Sequence, residues 1–275
     1  MNSRTLSQLS NNTQVKAVDS AKWLLSHGIS SATTEELAAL LAIPGSHVPQ
    51  RMAALKRRKE IVSPARGLWI PVPPEYASWG APPAIEMIDA IMRHLRVSYY
   101  IGWLSAAELH GASHHAPQVF QVAVSDTVRG RTTGRARFIF YHREHIQKVS
   151  LVQVETRSGM VPVSSVETTL LDIACDLVIA GGVDNAANIV IELCEEKCPD
   201  MASLAALSWQ YPATASRRLG HLMQNYTEVK GLDTLKAACA RRNTALSLLD
   251  PQAGFNGPVD QDWYIRINRE VSPDV

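Results

Sequence analysis

The sequence predicts an α+β protein: a winged helix-turn-helix within residues 1–80, then a mixed α+β domain with a helical C-terminal half over residues 84–275. Three observations predict it. Helical periodicity interrupted by a turn, then a hairpin signal, fills the chain up to Val72. Four prolines between Pro73 and Pro83 break that pattern. Beyond them, alternating strand patterns give way near Ser165 to a succession of helical ones.

The first helix is read over residues 15–26, where Val15, Val18, Ala21, Leu24 and Leu25 share one face and His27-Gly28 ends it. Thr33-Thr34-Glu35-Glu36 has capping-box spacing and opens a second helix through Leu37, Leu40 and Leu41. After the Pro44-Gly45 break, a third helix runs from Ser46 or His47 to Lys59. Val48, Met52 and Leu55, spaced by four and three, face inward on it. Two short strands, at 60–63 and 68–72, flank Pro64-Ala65-Arg66-Gly67 and make a hairpin with an arginine near its tip.

A short helix, a glycine-bearing turn and a second helix followed by a ribbon point to DNA as partner. Charge agrees. Residues 1–80 carry nine Lys/Arg against five Asp/Glu, whereas the remainder carries eighteen against twenty-one. Arg51, Lys56, Arg57, Arg58, Lys59 and Arg66 fall within sixteen positions, opposed only by Glu60. Gln50 and Arg51 have the side-chain geometry for bidentate contacts to base edges. Lys56, Arg57, Arg58 and Arg66 suit phosphates or the minor groove. Thr33, Thr34, Ser46 and His47 sit at helix starts, where unpaired amides favour a phosphate.

In the second domain, residues 84–95 form an amphipathic helix on Ile85, Ile88, Ile91, Met92 and Leu95, and Tyr99 to Trp103 lead into a short helix at 105–110. Strands at 118–124 and 137–141 are joined by a basic loop bearing Arg129, Arg131 and Arg135. That loop is either a solvated hairpin or a source of auxiliary phosphate contacts. A hairpin turned at Ser158-Gly159 follows, then a capping box at Ser164-Ser165-Val166-Glu167 opening a helix over 166–177. Further helices fall at 184–197, 200–208, 214–226 and 232–242, and a late strand at 263–268.

The segment Tyr99-Tyr100-Ile101-Gly102-Trp103-Leu104-Ser105-Ala106-Ala107-Glu108-Leu109-His110-Gly111-Ala112, with Ala116-Pro117-Gln118 after it, resembles the central motif of AbiEi-family antitoxins. Val163-Ser164-Ser165-Val166-Glu167-Thr168-Thr169-Leu170-Leu171-Asp172, followed by Gly181-Gly182, resembles that family's second motif, and Arg66-Gly67-Leu68-Trp69 its wing strand. The resemblance runs in order over about residues 15–270. One departure is Lys59-Glu60, where the family pattern calls for a glycine closing the recognition helix. The resemblance implies an antitoxin of a type IV toxin–antitoxin system linked to abortive infection of phage. Such a protein represses its own operon at inverted repeats and counters a co-encoded nucleotidyltransferase-like toxin, often without a stable direct complex.

Other constellations carry weaker expectations. His110, His114, His115, His142 and His145 lack the spacing of a metal motif, and Cys194 and Cys198 alone do not complete one. Asp172 and Asp176, four apart on a helix, read as like charges at a solvated edge rather than as acid–base catalysts. Tyr99, Tyr100 and Trp103 read as core. No phosphate loop or nucleophile elbow is present, so no catalytic residue, metal or other cofactor is expected. The polar run at 1–13 lacks a signal-peptide core, no apolar stretch is long enough to span a membrane, and four unpaired cysteines suit a reducing compartment; the expected location is the cytoplasm. The competing readings are a stand-alone regulator whose C-terminal domain senses a ligand or partner, and a nucleic-acid enzyme with a DNA-binding appendage. An adjacent toxin gene separates the first from an antitoxin; activity dependent on Asp172 or the histidines identifies the second.

Overall fold

The structure, a computed structural model, describes residues 14–112, 118–144, 146–242 and 245–274. The N-terminal part begins with a short 3-10 turn (Ala17–Asp19) leading into α1 (Ser20–Ser26), so the helix predicted from residue 15 is regular only in its second half. A two-residue strand β1 (Ala32–Thr33) precedes α2 (Thr34–Leu41). Thr33 caps α2 as its spacing predicts: its hydroxyl accepts from the Glu36 amide at 3.2 Å and its own amide donates to the Glu36 carboxylate at 2.7 Å. A 3-10 turn at Gly45–His47 then leads into α3 (Val48–Arg57), with Pro49 in its first turn, where a missing N–H costs nothing. Val48, Met52 and Leu55 are buried on its inner face as expected.

The helix stops two residues earlier than Lys59. Lys59 itself lies in the left-handed region at φ 58, its amide bonded to the Lys56 carbonyl and the following Glu60 amide to Leu55. This 5→2 and 6→1 pattern is a Schellman stop, in which a glycine is the least strained occupant. The lysine thus adopts the geometry of the missing glycine. It carries the cost of a left-handed side chain, about 1 kcal/mol.

Strands β2 (Ile61–Ala65) and β3 (Leu68–Pro71) form the hairpin, and β1 pairs antiparallel with β3 to complete a three-stranded sheet. Strand alternation gives β3 two buried faces. Trp69 enters the core of the three N-terminal helices, while Leu68 and Ile70 enter a second core together with Met87, Ile88 and Val163. The hairpin is therefore the seam between the two parts of the chain.

The second part is built on a six-stranded mixed sheet in the order β6-β7-β5-β4-β9-β8. Its strands are β4 (Tyr99–Ile101), β5 (Phe120–Val124), β6 (Arg131–Thr133), β7 (Ala136–His142), β8 (Leu151–Thr156) and β9 (Gly159–Ser164). The pairs β4/β9 and β5/β7 are parallel, and the remaining pairs are antiparallel. The predicted basic loop thus contains a strand, β6, whose polar Arg-Thr-Thr run carries no hydrophobic alternation to announce it. One face of the sheet packs on α4 (Ala84–Leu95) and the N-terminal hairpin, through Ile101, Val122, Phe138 and Val163.

The other face supports α5 (Trp103–Leu109) and the helices α6 (Val166–Cys175), α7 (Val183–Lys197), α8 (Met201–Ser208), α9 (Ala213–Tyr226) and α10 (Asp233–Ala240). The cap of α6 is Ser165, one residue later than predicted, because the Ser165 hydroxyl accepts from Thr168 and β9 runs on through Ser164. Gly182 caps α7 at φ 103, which accounts for the Gly181-Gly182 pair. The late strand shrinks to β12 (Ile265–Arg266) between β10 (Ser247–Leu248) and β11 (Val259–Asp260), since Trp263 turns inward against α9: a Cβ on Gly220 would lie 2.2 Å from its ring. None of the described helices is long and apolar enough to cross a membrane.

Candidate nucleic-acid interface

The solvent face of α3 and its approach is formed by Ser46, His47, Gln50, Arg51, Ala54, Arg57 and Arg58, all exposed as their spacing requires. Gln50, Arg51, Ala54 and Arg58 line a shallow groove with Ala17 and Val18 from the first turn. Arg51 and Arg57 have no carboxylate partner among the described residues. Arg58 is partly committed, its guanidinium 2.8 Å from Glu60. Lys56 reaches over the Trp69 ring, 6.0 Å from its centroid. The α2 threonines are half-buried, and both hydroxyls have structural duties: Thr33 caps α2, and Thr34 accepts from the Trp69 indole at 3.0 Å.

Arg66 is exposed at the hairpin tip, where its backbone carbonyl accepts from His94 Nε2 at 2.8 Å. Gly67 beside it is left-handed at φ 84, which explains the Arg-Gly pair at the turn. Of the loop arginines, Arg129 and Arg135 are exposed. Arg131 is turned inward: it donates to the Pro64 carbonyl at 3.2 Å, stacks 5.4 Å over Phe140, and is pulled below its usual pKa by burial.

A second arrangement was not legible beforehand. Asp172, expected at a solvated edge, is completely buried. Its carboxylate accepts from Tyr211 at 2.9 Å, Tyr100 at 3.1 Å and Arg143 at 2.7 Å. Asp176, one turn on, accepts from the Trp103 indole at 3.0 Å and from the same Arg143 nitrogen at 2.8 Å. Burial pushes the Asp172 carboxyl up to about 6 against the pull of Arg143, and holds both tyrosines well above their usual values. Only Arg143 could have announced the site; it reads as one more surface arginine until the sheet brings it under α6.

This cluster explains the two sequence motifs physically, because Tyr100 of the first meets Asp172 of the second, and Trp103 meets Asp176 one turn beyond it. Gly102 between them is required by closeness: a Cβ there would stand 2.9 Å from the Tyr100 ring and 3.2 Å from Asp172. Trp103, at φ 49, then makes the sharp turn from strand to helix. Gln121 stitches the same corner, accepting from the Leu104 amide at 2.8 Å and donating to Ile179 at 3.0 Å. Tyr100 and Trp103 are core, as expected, and Tyr99 is half-buried with its hydroxyl on Asp89.

Among the described residues no group of three or more His, Cys, Asp or Glu could hold a metal ion. His114, His115 and His145, like Ala116-Pro117 of the first motif, lie outside the described residues. His110 donates to the Ser164 carbonyl at 2.7 Å, while Cys194 is buried and Cys198 exposed at the end of α7.

The molecule is thus a helical module with an exposed basic helix, joined through its hairpin to an α+β body locked by an internal ion cluster. Residues 100–225 of that body match the family described as the AbiEi antitoxin C-terminal domain. Over that stretch the chain is similar to the antitoxins of toxin–antitoxin systems. Among solved structures, the RV2827C protein from Mycobacterium tuberculosis is similar over 93% of this chain and 92% of its own, with a TM-score of 0.65 at 13% identity. At that identity the likeness is one of fold. No curated protein matches the chain in sequence.

Proposed function

We propose that this protein is an AbiEi-type antitoxin that represses its own operon through a winged helix-turn-helix and counters a co-encoded nucleotidyltransferase-like toxin. The observation that carries the first half is the face of α3. Its outward residues, from His47 and Gln50 through Arg51 to Arg57, are solvent-exposed on a helix seated by Val48, Met52 and Leu55. A basic helix presented in this way fits the major groove, with Gln50 and Arg51 reading base edges of an inverted repeat. Lys56, Arg57 and Arg58 hold phosphates, and Arg66 addresses the adjacent groove. Ser46 and His47 lie where the start of α3 meets the backbone, whereas Thr33 and Thr34, whose amides and hydroxyls are already bonded, act by holding α2 in place.

The α+β body carries the antitoxin role, acts without catalysis of its own, and works in the cytoplasm beside the toxin. The test is co-expression with the neighbouring toxin gene and a reporter driven by the shared promoter. The intact chain restores growth and silences the reporter, whereas Gln50→Ala/Arg51→Ala restores growth but leaves the reporter active. Loss of both effects together, with the variant folded, contradicts this division of labour.

A further inference from the structure

The β6–β7 hairpin lies along the outer strand of the N-terminal hairpin, and the two are fastened at both ends. At one end Arg131 donates to the Pro64 carbonyl of β2 at 3.2 Å. At the other, Gly134 in the β6–β7 turn packs beside Gly80. A Cβ on Gly80 would lie 3.5 Å from the Lys59 side chain and 3.7 Å from Gly134 Cα. The turn is therefore fixed next to the C-terminal end of α3. It is also rigid: the Arg135 amide donates to the Trp79 carbonyl at 3.1 Å, and its guanidinium lies 6.0 Å over the Trp79 ring.

A side chain at Gly134 would stand 2.6 Å from the Trp79 carbonyl oxygen, so the close approach needs glycine. Arg129 and Arg135 flank this ribbon, both exposed and neither with a carboxylate partner among the described residues. Gly134, next to Arg135, and the Lys59 stem both pack against Gly80, which sets the ribbon's charge beside the Arg57-Arg58-Lys59 run at the end of α3.

Resting on the reading of α3 as a DNA-binding helix, we infer that the β6–β7 hairpin is a second basic ribbon on the same duplex, with Arg129 and Arg135 each gripping a backbone phosphate and Arg131 fastening it to the first hairpin. A duplex is favoured over an acidic protein surface because the ribbon's charge stands beside the α3 run, and phosphates supply charge at regular intervals along a duplex. The contacts are made by point charges and carry no sequence information.

The test measures affinity of the full chain for its promoter duplex, and for an unrelated duplex of equal length, as a function of salt. Arg129→Ala/Arg135→Ala lowers the slope of log affinity against log salt by about 1.8, two phosphates' worth, equally on both duplexes. Arg129→Lys/Arg135→Lys restores it, since a phosphate needs only the charge. If the intact chain binds and Arg51→Ala loses discrimination while the double alanine variant keeps the full slope, the ribbon is refuted and the α3 reading stands. Loss of toxin control with the slope intact refutes it equally, assigning the pair to an acidic protein face. If the intact chain shows no salt-dependent binding at all, the α3 reading fails and the ribbon with it.

Discussion

His94, near the end of α4, donates from Nε2 to the backbone carbonyl of Arg66 at 2.8 Å, so a residue of the α+β body holds the tip of the N-terminal hairpin. Leu68 and Ile70 of the same hairpin are buried against α4 and the large sheet. The hairpin's geometry therefore depends on chain lying beyond the proline break. His94→Ala removes one hydrogen bond, worth about 1 kcal/mol. Hydrogen exchange at the Gly67 and Leu68 amides is expected to quicken while α2 stays protected. A fragment ending at Pro82 exposes Leu68 and Ile70 and should melt well below the intact chain; equal melting would show that the seam contributes little.

Lys59 offers a gain. At φ 58 it occupies a position that favours glycine, so Lys59→Gly should raise stability by about 0.5–1 kcal/mol in a denaturant titration. Gly in the same place within a regular helix would have the opposite sign. A loss of stability would show that the packing of the lysine stem against Gly80 outweighs the backbone strain.

The Asp172 cluster carries a pH signature. Its carboxyl titrates higher in the folded chain, about 6, than in an unfolded one, through burial first of all. The folded state then binds the proton more tightly, so this group's contribution is present at low pH and is lost as pH rises through about 6. Asp172→Asn removes one of the two carboxylates that hold the partly buried Arg143 and should cost roughly 2–3 kcal/mol near neutrality. The gap between wild type and variant should widen from pH 7 to pH 5; a gap that narrows would reverse the assigned shift.

Gly102→Ala tests the same corner sterically. The added methyl meets the Tyr100 ring at 2.9 Å, and neither strand nor helix can give way without moving Asp172. A destabilisation of about 2 kcal/mol or more is expected from overpacking. A neutral outcome would mean that the strand-to-helix turn is softer than its contacts indicate.

Local signals made most of the fold legible. The α2 capping box, the inward triplet of α3 and the span of α4 each follow from spacing within a few residues. What stayed hidden depends on partners distant in sequence. Asp172 is buried because Tyr100, Arg143 and Tyr211, from three other places in the chain, supply donors. Nothing within the helix distinguishes it from a solvated carboxylate. Strand β6 carries no apolar alternation, and its arginine divides the loop's charge: Arg131 faces inward while Arg129 and Arg135 face out. The α3 face, by contrast, was legible residue by residue, because one helix period decides which side chains reach solvent.

The reading turns most directly on how strongly the intact chain holds its own promoter as salt rises from 50 to 200 mM, for wild type, Arg51→Ala and Lys56→Ala. With about five or six phosphates neutralised, log affinity should fall against log salt with a slope of roughly −5. Arg51→Ala should lose about 1–3 kcal/mol on the operator alone, and Lys56→Ala should weaken every duplex alike. Binding that ignores salt, or equal losses on operator and random DNA for Arg51→Ala, would contradict a DNA-reading helix at α3.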